Sequence, residues 1–312
     1  VEILAKSGPI ELLATVSGNA DDFFINGATN LYLGSKASSV ITSSSSNILI
    51  QGNDFEFNSA RPKIATTGTF TLEPVESFAS FGNPVYTKWL EFNLNSQTLS
   101  GFNLGKIGST TNVIHDTYAI TTAGPITLYG GALTFNAALS ATNDDINLHA
   151  TGAVIQSAAS TAAITANGLG LHGPGTFTLT NTSNNVVTLA GGDNTNKLGS
   201  LSFVDAGGNL TIGSVNPTGI TSTGNVLIET LTGDILLTEP ISTTSATVTA
   251  TGAAGAIVLN AGKNSASGTL AGGDIKVSGN GAVSAPNGIA KLYSGSDGNS
   301  VGLTTLVGGT SN

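Results

Sequence analysis

The chain has 312 residues, of which only 9% are charged and 41 are glycine, whereas an ordinary soluble domain is about one quarter charged. The absence of Cys excludes a disulfide framework, a thiolate metal site and a cysteine nucleophile. With 19 acidic against 10 basic residues and a net charge of -9, there is no basic stripe to track a phosphate backbone, and no nucleic-acid partner is expected. Gly, Ser or Thr interrupts every apolar stretch well short of the roughly 20 residues of a membrane span, so no membrane insertion is expected either. The opening VEILAKSGPIELLA lacks the charged, apolar and cleavage-site order of a secretory signal. Together with the absence of Met, this leads us to expect a processed chain or an internal slice of something longer.

Taken in chain order, the first elements are GPIEL from Gly8 and ITSSSSNILI from Ile41, followed by GTFTL from Gly68. Between Phe55 and Tyr118 the text is least regular and holds most of the aromatics, including Trp89, and the basic Arg61. From Gly124 the same unit returns as GPITL, then GTFTL from Gly175, GSLSF from Gly199 and GNLTI from Gly208. It continues as GNVLI from Gly224, GDILL from Gly233, GAIVL from Gly255 and GDIKV from Gly273. Alternating apolar and polar residues behind a glycine predict a short strand leaving a turn. The Ala-rich SAASTAAITA from Ser157 is short and β-branched, and reads as a tight coil rather than a helix. We place a soft boundary near residue 120, with irregular aromatic-rich coils over 1–120, a loop excursion among them, and regular coils over 121–312.

The spacing of the units carries more than their number. Leu201, Val226 and Val248 form one series, and Leu210, Ile235, Ile257 and Ile275 form another. Strands held at fixed phases, with coils of about 22 residues, are what a chain needs when each circuit lies on its predecessor. The predicted fold is therefore all-β, a right-handed parallel β-helix (β-solenoid), with aligned Ile, Leu and Val as one stacked core.

The text from Ile120, ITTAGPITLYGGALTFNAALSATNDDINLHATG, resembles the repetitive body of filamentous-haemagglutinin-like exoproteins, the large secreted adhesins of the two-partner-secretion type. GNLTIGSVNPTGITSTGNVLIETLTGDILLT and AGGDIKVSGNGAVSAPNGIAKLYSGS look like the same kind of repeat. The resemblance covers the later residues well and the first 120 weakly. It implies a right-handed β-helix, an extracellular or outer-surface location on a Gram-negative-type bacterium, and a place in an adhesive fibre.

Asp144 with Asp145, and Asp21 with Asp22, are neighbours on a strand and point to opposite faces, which suits polar turns better than a calcium-dependent lyase. Asp234 and Asp274 share a place in Gly-Asp-Ile units, which puts them two coils apart and just outside the spacing of an inverting glycosidase. His149 and His172 each follow a Leu and could share a phase, with no third ligand in register for a metal. No catalytic residue, metal or cofactor is therefore expected, and no enzymatic activity.

Two binding surfaces are expected instead. Phe78, Phe81, Tyr86 and Trp89 combine rings with polar neighbours in a way that suits a glycan or a protein receptor. Leu227, Leu236 and Val258 occupy outward positions, with Val258 expected above Leu236, as a self-association patch toward like chains. The expected function is a structural and adhesive segment of a large secreted or cell-surface fibre, continued by further coils. The alternatives are an extracellular scaffold filament subunit and a polysaccharide-processing β-helix enzyme.

Overall fold

A computed structural model describes residues 2–5, 10–11, 16–18, 23–33, 40–43, 47–57, 63–75, 79–81, 87–90, 99–116, 118–248, 255–266, 268 and 272–306. The chain forms two compact units, Val1–Gly152 and Ala153–Asn312. Each is all-β and built from stacked coils of about 24 residues. Among the described residues the helical segments are a single 3-10 turn at Ser160–Ala162 and the short helix Leu303–Leu306. The Ala-rich stretch is accordingly a tight turn leading into a strand. The compositional shift near residue 120 lies inside the first unit.

In the first unit each coil adds one strand to a parallel sheet, in the order Glu2–Ala5, Phe23–Leu33, Ile48–Phe57, Thr69–Glu73, Gly101–Leu104, Ile126–Gly130 and Leu139–Ala150. A second parallel sheet joins Thr87–Leu90, Asn112–His115 and Leu133–Phe135. The pairing aligns Ile50, Leu72, Leu104, Leu128 and Leu148 in one inward row, and Ile48, Phe70, Phe102, Ile126 and Ile146 in the next. All ten are buried. Each contributes on the order of 2 kcal/mol by leaving water, but only when a neighbouring coil covers it.

The second unit repeats the arrangement. One parallel sheet takes Ile164–His172, Asn185–Gly191, Leu210–Ile212, Ile235–Leu237 and Ile275–Val277. The other takes Ala153–Gln156, Thr176–Leu179, Ser200–Asp205, Val226–Thr230, Ile257–Asn260 and Ala290–Tyr293. Leu201, Val226 and Ile257 stack in register, as do Leu210, Ile235 and Ile275.

Here the expected series are corrected. Val226 is followed in the stack by Ile257 and not by Val248, which lies outside the strands and is exposed. Ile257 belongs to the sheet of Val226, so Ile235 meets Ile275 directly. The reason is coil length: the connections from Thr243 to Ile257 and from Asn260 to Ile275 are much longer than their counterparts from Ser222 to Val226 and from Thr230 to Ile235. The hydrogen-bonded partners Asn260 and Glu229 are thus 31 residues apart, and Asp274 and Asp234 are 40 apart.

At three of the corners the glycine ahead of the strand has a packing cause. A Cβ on Gly124 would overlap the Ser100 carbonyl oxygen, one on Gly224 that of Gly199, and one on Gly233 that of Gly208. The main chains of successive coils touch at these corners, so no side chain fits between them. Beside the corners, Asx side chains bind the coil above. Asn47 Oδ1 accepts from the Thr69 N–H at 2.8 Å, Asn112 Oδ1 from Ala132 at 2.9 Å, and Asn209 Oδ1 from Asp234 at 2.9 Å. Such bonds satisfy donors that a turn would otherwise leave open.

Candidate functional site

Outward positions of the first unit build an open groove of about 990 Å³ across the strands that follow Asn47, Gly68, Ser100 and Gly124. Its floor is the row Leu49, Thr71, Asn103 and Thr127, which alternation turns away from the core and parallel register places one above another. Asn103 Nδ2 donates to Thr71 Oγ1 at 3.2 Å, which ties neighbouring coils together.

Two positions further along each strand the chemistry becomes charged and aromatic. Gln51 Nε2 donates to Glu73 Oε1 at 2.6 Å, and Lys106 Nζ lies 3.6 Å from the same oxygen. The charges of Glu73 and Lys106 therefore offset one another locally. On the later coils Tyr129 pairs in register with His149, and their rings stack at 4.3 Å with an interplanar angle of 22°. Burial beside this stack pushes the Tyr129 phenol above its ordinary pKa, so it remains a neutral donor at physiological pH.

One wall is a turn on which Gly105 and Gly108 take positive φ of 78° and 85°. Gly105 faces Tyr129, where an added Cβ would stand 2.8 Å from the Tyr129 carbonyl oxygen and 3.1 Å from its Cβ. On this turn Ile107 is 80% exposed, a large apolar side chain held at the groove rim.

The residues expected from sequence distribute differently. Trp89 faces outward on the second sheet, 48% exposed, beside Ile114 of the next coil. Phe81 is corrected to a core residue: it is 1% exposed and packs edge to face on Phe55 at 4.7 Å. A ring in that position cannot reach a ligand, because it fills the coil interior. Phe78 and Tyr86 lie outside the described residues.

In the second unit Leu227 meets Val258 directly on one outer row, and Leu236 stands on a different sheet between Thr211 and Lys276. The expected stacking of Val258 on Leu236 is corrected, for the coil-length reason given above. Val258 is also buried, at 5% exposure, while Leu227 is half-buried.

Asp234 and Asp274 are on adjacent coils rather than two apart, and both are buried. Asp234 accepts from the Asp274 N–H at 2.9 Å and from Lys276 Nζ at 2.5 Å, and Asp274 accepts from the Ser296 N–H at 3.0 Å. Their oxygens are spent on binding coils together. His149 is committed to Tyr129, and His172 faces Asp193, with burial lowering its pKa most strongly. Among the described residues no three His, Asp or Glu side chains gather as metal ligands. The groove itself escaped the sequence reading because its members come from different coils. The available signal was the Gln51, Glu73, Gly105 and Tyr129 phase, read across strands rather than along them.

The fold and this surface define the chain as a β-solenoid repeat protein, with parallel coils that present outward polar rows. Comparison with protein-family models, curated proteins and solved structures found no match.

Proposed function

We propose that the chain is a structural and adhesive segment of a large secreted or cell-surface fibre of the filamentous-haemagglutinin-like kind. The observation that carries this reading is the division of labour between the inward and outward faces of the stacked strands. Inward rows of Ile, Leu, Val and Phe make the stack, and outward rows rich in Thr, Asn and Ser form a surface with few charges. Such a surface suits broad contact with a hydroxyl-rich or peptide partner, and the groove of the first unit is its most concave part. Parallel coils also allow further coils to continue the stack at either end.

The experiment is attachment. Beads coated with the chain are applied under flow to surfaces carrying polysaccharide or cell-surface protein, with beads coated by a charge-matched globular protein as the reference. Retention above the reference is expected. Equal retention, combined with filament formation in solution, would instead establish a scaffold without adhesion. Release of reducing ends from a polysaccharide by the soluble chain would replace both with an enzyme.

A further inference from the structure

Face-to-face stacking of Tyr129 on His149 joins successive coils, so the stacking direction follows the coil axis. The opposite face of Tyr129 is then turned toward the preceding coil. At that position stands Gly105, which has no side chain to cover the ring and, by its φ and its contact with Tyr129, no room for one. The next residue, Lys106, is drawn away toward Glu73. The ring thus lines the groove together with the hydroxyls of Thr71 and Thr127 and the amide of Asn103.

We infer that this groove is a carbohydrate subsite for a neutral pyranose chain, one ring of which stacks on the uncovered face of Tyr129. The inference rests on the adhesive reading above and names its ligand. An aromatic face takes the apolar C–H face of a pyranose, while the flanking hydroxyls and amide exchange hydrogen bonds with its hydroxyl groups. The Glu73 carboxylate is matched by Lys106 and Gln51, which leaves no net charge to select a polyanion or a polycation. The volume also lies in the usual range for small-ligand sites.

The test is calorimetric titration of the full chain with cellohexaose and chitohexaose, with hexagalacturonate as the acidic comparison. Binding of at least one neutral hexaose is expected, insensitive to salt. Tyr129→Ala should weaken it by about tenfold or more, Tyr129→Phe should retain most of it, and Trp89→Ala should leave it unchanged. If Tyr129→Ala does not fold, Thr127→Arg blocks the floor from an outward position and should abolish binding. The inference is overturned if the folded parent binds neither neutral hexaose, if it prefers hexagalacturonate, or if Trp89→Ala removes binding that Tyr129→Ala keeps. Retention of coated beads on protein surfaces without hexaose binding would sink the subsite alone. Loss of both would sink the adhesive reading with it.

Discussion

His115 is an imidazole placed where the alternation demands an apolar residue. It points into the first unit, is almost fully buried, and packs edge to face on Phe135. Its Nε2 bonds the Tyr118 carbonyl at 2.6 Å, while Nδ1 is buried without a partner. That geometry fits the neutral ring with the proton on Nε2. Burial lowers its pKa from 6.5 to about 4, against the opposing pull of the Tyr118 carbonyl and Asp116. A base held below its unfolded pKa stabilises the fold above pH 6.5, and this is lost as pH falls through that value toward 4. The loss is on the order of 3 kcal/mol. Asp205 has the opposite sign, because burial raises its pKa from 3.8 to about 6 despite accepting from the Val186 and Gly207 N–H groups. Its contribution is present below 3.8 and is lost as pH rises to about 6. The informative measurement is therefore the stability difference between the parent and His115→Leu. It should move in favour of the variant by on the order of 3 kcal/mol between pH 7 and pH 4; a difference that stays constant would show that His115 already titrates normally.

At the scale of the element, the corner glycines make a prediction that separates close approach from backbone freedom. Gly233 is barred from carrying a Cβ by the Gly208 carbonyl, whereas Gly208 has a φ of 127° and nothing within 4 Å of an added Cβ. Gly233→Ala should cost about 3 kcal/mol or more through displaced coils. Gly208→Ala should cost about 1–2 kcal/mol through conformation alone. In a nearest-neighbour stack the damage is local, so amide exchange should quicken first in Leu210–Ile212 and Ile235–Leu237. Similar exchange for both variants would mean that the corner is not limiting. Buried amides reinforce another corner of the second unit. Gln156 Nε2 donates to Asn184 Oδ1 at 2.6 Å, and Asn184 Oδ1 also accepts from the Ile164 N–H at 2.9 Å. The Gly-x-apolar units were legible as strands from their letters, whereas the job of Gln156 and Asn184 was not. A polar residue at a strand end or in a turn reads as exposed until the coils above and below it are known.

For the molecule as a whole, a net charge of -9 and an isoelectric point near 4.6 set the conditions for association. With so few charges, the outward polar rows have little other repulsion between copies. Light scattering across pH should show maximal association close to pH 4.6, reversed by returning to neutral pH. Association that grows steadily toward alkaline pH would point to a cause other than net charge. Composition and alternation were sufficient to read an all-β coiled chain with its Ile, Leu and Val inward, because alternation belongs to each strand alone and survives any stacking. Which strand lies on which depends on the length of every intervening turn, and a strand's own pattern carries no record of that length. Hence Ile257 replaced Val248 above Val226, Phe81 went inside while Trp89 stayed out, and Tyr129 came to face the bare main chain of Gly105. The groove exists because coils of unequal length still bring their strands into register, a condition met only once the chain has closed each circuit on the one before.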